Sequence, residues 1–292
     1  MVRTNNRGTA RRAPQYLGHS NFIMMKPLKR FFVSSLSDSG NRFDHAKTIL
    51  LDSHQTHYVK HVLRMKKGSL CLFFDGSGNE FVGRLERFMG NQRCEAALLE
   101  RRTGERSDAR IQISCAQAIP QHRKMDVIVE KAAELGVFEL IPLVTERTVV
   151  QISKEREQKV IDRWNRIARQ TLQQSRVANA PAILPLTTFV ELCQQFSRFD
   201  QVYLFHPSED AQPAQEIVRT KSSRVARPTD EKSVLKPRRL LLIIGPEGGF
   251  SDLELKGAKQ NKAHVVRLHS GIMKTDTAFV AATSFFKASY EG

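Results

Sequence analysis

Two stretches near the C-terminal end decide the fold: Leu240-Leu-Leu-Ile-Ile-Gly-Pro-Glu-Gly-Gly-Phe-Ser251 and Ala263-His-Val-Val-Arg-Leu-His-Ser-Gly-Ile-Met-Lys-Thr-Asp-Thr-Ala278. In each, a short apolar run passes through a glycine-bearing loop into a helical pattern, Ser251 to Lys259 and Thr275 to Ser289. Strand, loop and helix in repetition predict an α/β layer on a parallel sheet. Ligands of such sheets bind beyond the carboxyl ends of the strands, where both loops lie.

The first loop has the chemistry of a stiff ligand cradle. Gly245, Gly248 and Gly249 permit positive φ and close backbone approach, while Pro246 fixes φ and removes a donor. Glu247 projects a charge from that platform, and Ser251 with Glu254 reads as a capping box that sets the start of the next helix. The same residues also suit a strand-to-helix turn without a ligand. No dinucleotide fingerprint or phosphate loop is present.

Working outward, Val202 to Phe205 is another buried strand, ending at His206-Pro207, and Thr188 caps a helix running to Phe196. Lys154 to Gln174 is a long helix with Val160, Ile161, Trp164, Ile167, Ala168 and Leu172 on one face, which reads as core. Val137 to Val144 is a strand ending at Thr145-Glu-Arg147; Lys124 to Leu135 is a helix stopped by Gly136; Ile111 to Ala116 is a strand. Residues 106–292 therefore predict a doubly wound parallel sheet. The stretch 101–108 has no apolar residue and marks the boundary.

From Leu28 to Glu100 short strands dominate. Leu70 to Phe74 and Glu80 to Leu85 form a hairpin around Asp75-Gly-Ser-Gly78, and Arg93 to Leu99 offers a further strand. Ser53 to Met65 reads as a helix with Ser53 as N-cap and Gly68 beyond its end. A small β-barrel with one helix suits residues 26–105. His54, His57 and His61 fall near one helical face. They suit a metal site or a contact with phosphate or base shared with Tyr58 and Arg64; the second is favoured because no Cys or carboxylate accompanies them.

The net charge is +16, and two polar segments carry much of it. Residues 1–25 hold Arg3, Arg7, Arg11 and Arg12 without an acid; residues 219–239 hold eight Lys/Arg against Asp230 and Glu231. These read as a basic disordered extension and a basic flexible insertion that steer a polyanion without defining a site. An organelle transit segment is an alternative for residues 1–25, the cytoplasm being the expectation otherwise. Cys71, Cys94, Cys115 and Cys193 are scattered, which argues for a reducing compartment and against a zinc site. No apolar run approaches a membrane span.

Gly245-Pro-Glu-Gly-Gly249 followed by Leu268 to Ala278 resembles the SPOUT superfamily of RNA methyltransferases, and within it the bacterial enzymes that methylate N3 of a uridine in small-subunit ribosomal RNA. The likeness extends to Phe31-Phe-Val33, His61-Val-Leu-Arg-Met65 with Gly68, Lys124-Met125, Glu130 to Gly136, Thr145 to Thr148 and His206-Pro207. It covers roughly residues 28–292, with separated motifs in the family's order. His269, Gly271, Met273, Lys274 and Asp276 stand where the family pattern has Gly, Arg, Leu, Arg and Glu.

The resemblance implies a PUA-like RNA-binding barrel, a SPOUT (α/β knot) methyltransferase domain whose last loops thread a trefoil knot, and a homodimer. It implies that S-adenosylmethionine is enclosed by Phe205 and His206, by Gly245, Pro246, Glu247, Gly248 and Gly249, and by Leu268, Gly271, Ile272, Met273 and Thr277. The partner would be ribosomal RNA or the small ribosomal subunit. Methylating N3 of uridine requires an imide nitrogen to lose its proton and attack a methyl group. Asp276, in the family's Glu position, is the first base to consider and Glu247 the second; Arg147 and Lys274 are the cations for the developing imidate charge. Helix capping suits Asp276 equally well, and an interface ion pair suits Arg147. Two rivals stand beside this reading: methylation of a 2′-hydroxyl on another RNA, and RNA binding without catalysis.

Overall fold

The computed structural model describes residues 28–33, 48–76, 78–90, 92–103, 111–173, 175, 177, 179–208, 210–217 and 238–291. The basic extension and nearly all of the basic insertion lie outside the described residues. Arg238 and Arg239, taken above as the end of that insertion, instead open a strand.

Among the described residues, the N-terminal part holds β1 (Lys29–Phe32), β2 (Thr48–Leu51), β3 (Leu70–Phe74), β4 (Asn79–Met89) and β5 (Arg93–Thr103) in the order β1-β3-β4-β5-β2. β1 runs parallel to β3, whereas β3–β4, β4–β5 and β5–β2 are antiparallel. Register shifts at Val82/Gly83 and Leu85/Arg87 break the ladder of β4, and such bulges bend and twist a strand. Phe31, Leu51, Val59, Phe73, Leu85 and Leu98 share the core this sheet encloses. β4 and β5 run longer than the spacing suggests, because their polar residues pair backbone with backbone whatever their side chains favour.

The single helix of this part begins differently from the sequence reading. Asp52, not Ser53, is the N-cap of α1 (Ser53–His57), and Gln55 completes a capping box with it. A carboxylate one residue earlier accepts the Gln55 amide at 2.7 Å. The next turn, Tyr58–Val62, widens to a π-helix, with the Leu63 amide donating to the Tyr58 carbonyl. The helix therefore stops short of Met65, and Arg64 sits at φ 51, a conformation that ends a helix.

The second sheet is parallel throughout, in the order β11-β13-β10-β12-β6-β7-β8, with β9 beside β7. Its strands are β6 (Ile111–Ala118), β7 (Glu139–Val144), β8 (Ala182–Ile183), β9 (Thr187–Thr188), β10 (Gln201–Phe205), β11 (Gln212–Pro213), β12 (Arg238–Ile244) and β13 (His264–Arg267). Along β12 the side chains alternate: Leu240, Leu242 and Ile244 enter one core cluster, Leu241 and Ile243 the other. That period of two, apolar on both faces, is the requirement of a sheet covered on both sides. α2 (Lys124–Glu134), α3 (Lys154–Leu172) and α6 (Thr275–Glu291) supply residues to the first cluster; α4 (Phe189–Gln194) and α5 (Asp252–Gln260) supply the second. Trp164 is buried in the first, as its spacing indicated.

Arg30 of β1 ties the first sheet to the end of α3. Its guanidinium donates to the carbonyls of Leu172, Ser175 and Val177, pairs with Glu80 at 2.5 Å and lies 4.6 Å from the Phe74 ring centroid. The carbonyls at the end of α3 carry the negative end of that helix, so a cation is favoured there.

Candidate functional site

Register brings the three loops of interest together. Phe205 pairs with Ile244 on one side and Val266 on the other, so β10, β12 and β13 end at the same sheet edge. The His206 amide continues the ladder to the Val266 carbonyl at 2.9 Å. The loops that follow these strands border a cleft of about 340 Å³, within the size range of small-molecule sites.

Among the residues singled out from the sequence, Phe205, His206, Gly245, Pro246, Glu247, Gly249, Leu268, Gly271, Ile272, Met273 and Lys274 line this cleft. Gly248, Thr277, Asp276 and Arg147 do not. A Cβ on Gly248 would lie 3.3 Å from Cβ of Arg147, so that glycine makes room for a protein side chain rather than for a ligand. Arg147 in turn donates to the Gly248 carbonyl at 3.0 Å, bracing the loop from outside the lining. Thr277 is exposed on α6.

Three residues passed over as site residues hold the loops in place. Thr275, at the start of α6, donates its hydroxyl to the Gly245 carbonyl at 2.8 Å and accepts from Gln117 at 2.9 Å. Gln117 is fully buried at the end of β6, and its only sequence signal is an amide in an apolar strand. Lys124 pairs with Glu247 at 2.7 Å, while the Gln121 amide donates to the other Glu247 oxygen at 3.3 Å. Burial works to raise the Glu247 carboxyl, but these donors outweigh it and hold the group below its ordinary range. Glu247 is thus an anchored anion, already committed to partners, and a weak acceptor for a further proton.

Asp276 differs. It stands on the first turn of α6 between the lining residues Thr275 and Ala278, and its Oδ1 is buried without a hydrogen-bond partner. Its charge is felt by Lys124, across the cleft edge. An unpartnered carboxylate oxygen is costly unless something else occupies its acceptor site. His206 accepts the Ser208 amide at Nδ1, which leaves Nε2 as the donor of the neutral ring. Burial, then the Arg147 cation, holds the imidazole below its usual range.

The N-terminal candidates lie elsewhere. His57, Tyr58, His61 and Arg64 are exposed around the π-helical turn, and the rings of His57 and His61 are 4.8 Å apart. Among the described residues no group of three His, Cys, Asp or Glu is placed to hold a metal ion.

Comparison with known proteins matches residues 107–287 to the family model of the RNA methyltransferase domain, and residues 51–96 to that of the RNA methyltransferase PUA domain. A protein of Bacillus subtilis (strain 168) named Ribosomal RNA small subunit methyltransferase E is 25% identical over 259 residues, 88% of this chain and 95% of the relative. The protein of the same name from Synechocystis is 26% identical over 244 residues, 84% and 74% of the two chains. Among solved structures, a Legionella pneumophila methyltransferase in complex with its cofactor SAM superposes with a TM-score of 0.73 at 24% identity, covering 90% of this chain and 98% of its own. Ribosomal RNA small subunit methyltransferase E from Neisseria gonorrhoeae, bound to S-adenosyl methionine, gives 0.71 at 23% with the same coverages. The two family models, with these likenesses in fold, give a PUA-like domain followed by a methyltransferase domain.

Proposed function

This chain belongs to the RNA methyltransferase family, and from that premise we propose that it transfers the methyl group of S-adenosylmethionine to N3 of a uridine in small-subunit ribosomal RNA. The observation that carries the reading is the three-loop cleft with the unpartnered, buried carboxylate oxygen of Asp276 beside it. The relatives named for small-subunit ribosomal RNA methylation support the substrate class. The fold neighbours with SAM bound support the cofactor.

The residues present fit that cofactor. Leu268, Ile272 and Met273 offer apolar walls for a flat adenine, and the backbone at Gly249, at φ 70 with nothing within 4 Å of where a Cβ would stand, permits close approach of polar groups, whereas the bare Cα of Gly245 makes room for the Phe250 ring. When bound, S-adenosylmethionine supplies an electrophilic methyl on a sulfonium. Asp276 would accept the N3 proton of uridine as the nitrogen lone pair bonds to the methyl carbon, the methyl–sulfur bond breaking with its electron pair left on sulfur as a neutral thioether. Lys274, on the lining, would stabilise the negative charge that spreads to O2 and O4, and Arg147, braced behind the glycine loop, would add its positive charge at longer range. Glu247 holds the β12–α5 loop through Lys124 and is not the base.

RNA would also meet the exposed His57, Tyr58, His61 and Arg64. A homodimer is part of the proposal: Val149, Leu253 and Ile272 are exposed apolar side chains on segments that follow the site's strands in sequence, and exposed apolar surface of this kind suits association. Among the described residues no helix is long and apolar enough to cross a membrane. The protein would act wherever its ribosomes are, in the cytoplasm or an organelle.

The test compares modified nucleosides of small-subunit ribosomal RNA with and without the protein, alongside calorimetry with S-adenosylmethionine. Loss of 3-methyluridine is the expected result. Loss of a 2′-O-methyl nucleoside instead would move the reading to another branch of chemistry, and no cofactor binding would leave an RNA-binding protein.

A further inference from the structure

A second groove lies where the two sheets meet, bordered by Phe32 of β1 and by Asp162, Asn165, Arg166, Arg169, Gln170 and Gln173 of α3, with a volume of about 440 Å³. The methyl-transfer chemistry does not use it. α3 has 19 residues, so at 1.5 Å each it runs roughly 28 Å. Its start follows the loop that braces Gly248, and its end carries this groove.

The lining matches an unpaired nucleotide. The half-buried Phe32 ring forms the floor, held edge-on by Phe74 at 5.8 Å, and the Arg169 guanidinium lies 5.6 Å from its centroid. An Arg plane seated on an aromatic ring presents its outer face for stacking by a base. Asn165, Gln170 and Gln173 bring amide donors and acceptors of the kind that reads a base edge. Arg166 is exposed, and among the described residues neither it nor Arg169 forms an ion pair, whereas the neighbouring Arg163 is engaged by Asp126. Asp162 is the lining acid, and its Oδ1 already accepts from Gln158 at 2.8 Å. The two walls are also tied together: Arg30 of β1 donates to the Leu172 carbonyl at the end of α3 and to the Val177 carbonyl beyond it.

We infer that this groove binds one unpaired nucleotide of the substrate RNA, with the base stacked on Arg169 above Phe32 and a phosphate on Arg166. It is a second anchor, distant from the methylated base, and it rests on the RNA-methyltransferase reading. The chemistry of a nucleotide is shared by a free mononucleotide, and the experiment separates the two.

Binding of a fluorescent single-stranded oligoribonucleotide is measured by anisotropy across a salt series for the parent and for Arg166→Ala, Arg169→Ala and Arg169→Lys. The expected result for Arg169→Ala is a loss of about tenfold in affinity, the scale of one lost base stack. Arg169→Lys stays weak although its charge is kept, because an ammonium has no plane to stack. Arg166→Ala lowers the salt slope by about one phosphate's worth. All three variants keep the parent's affinity for S-adenosylmethionine and its melting temperature, which shows that the loss is not a folding defect. Uridine monophosphate at millimolar concentration competes weakly. Parent-like RNA affinity in both alanine variants overturns the inference, as does full recovery with Arg169→Lys or a mononucleotide that binds as tightly as the oligomer. Failure of the parent itself to bind RNA overturns the family-based reading instead, so the two failures are distinct.

Discussion

At the scale of single residues, the site assigns different work to its two carboxylates. Asp276→Asn keeps shape and some capping ability but removes the proton acceptor, so single-turnover methylation is expected to fall about a hundredfold to ten-thousandfold. Binding of S-adenosylmethionine stays near normal, and raising pH restores part of the rate because the imide then ionises unaided. Turnover at the parent rate would remove Asp276 from the mechanism. Glu247 is held below its ordinary range, net of the opposing effect of burial, by Lys124 and the Gln121 amide. A depressed carboxyl stabilises the fold above its unfolded value and loses that contribution as pH falls through the folded value. The melting temperature of the parent relative to Glu247→Gln is therefore expected to be flat near neutrality and to converge below about pH 4.5. For His206, burial comes first and Arg147 second among the causes of its depression. Arg147→Ala will shift its titration to higher pH, observable by NMR; an unmoved titration would separate the two groups electrostatically.

At the scale of elements, the Thr275 hydroxyl links three of them: the end of β6 through Gln117, the loop after β12 through Gly245, and the first turn of α6. Thr275→Val preserves shape but removes the partner of the Gly245 carbonyl and of one N–H of the Gln117 amide, whose nitrogen still donates to the Ala118 carbonyl, at a cost of about 1–3 kcal/mol. Affinity for S-adenosylmethionine is expected to drop with the melting temperature, since the same bonds shape the cleft. A variant that melts normally and binds normally would show that the linkage is dispensable. Most helix boundaries were legible because they depend on adjacent residues. Ser251 with Glu254 forms the capping box its spacing indicates, Thr188 caps α4 as read, with Glu191 completing a second box, and Gly136 takes φ 65 after α2. α1 departs by one residue at its start because Asp52 is itself a good cap, and its end is set by a π-turn that no local spacing announces.

At the scale of the whole molecule, Arg30 is one of the contacts that tie the N-terminal sheet to the methyltransferase part, at the end of α3. Arg30→Ala frees the end of α3 and leaves Glu80 partly buried without its cation, with an expected destabilisation of about 3 kcal/mol. Calorimetry should show the single transition broaden or split as the barrel uncouples; an unchanged transition would mean that packing alone joins the parts. The net charge of +16 acts over longer range. Replacing Arg3, Arg7, Arg11 and Arg12 by Ser is expected to weaken RNA binding mainly at low salt and to flatten its salt dependence. A change in the methylated nucleotide at constant slope would show that the segment reads sequence.

The sequence by itself determined what is local or periodic: the alternation that buries both faces of β12, the helical stripe around Trp164, the caps, and a glycine loop built for close approach. Strand ends pointed to the loops that carry the cleft, and the resemblance to the family, carried by their motifs, pointed to Asp276, Glu247 and most of the cleft lining. Tertiary structure decided what depends on distance in space. Strands far apart in the chain, β10, β12 and β13, lie side by side, which turns three separate loops into one cleft. Lys124 reaches Glu247 across 123 positions and Gln117 reaches Thr275 across 158. Arg147 meets Gly248 across 101, so the glycine that reads as ligand space serves a side chain. Pairings at such separations leave no periodic trace, because either partner alone is compatible with many surroundings and only the folded chain selects one.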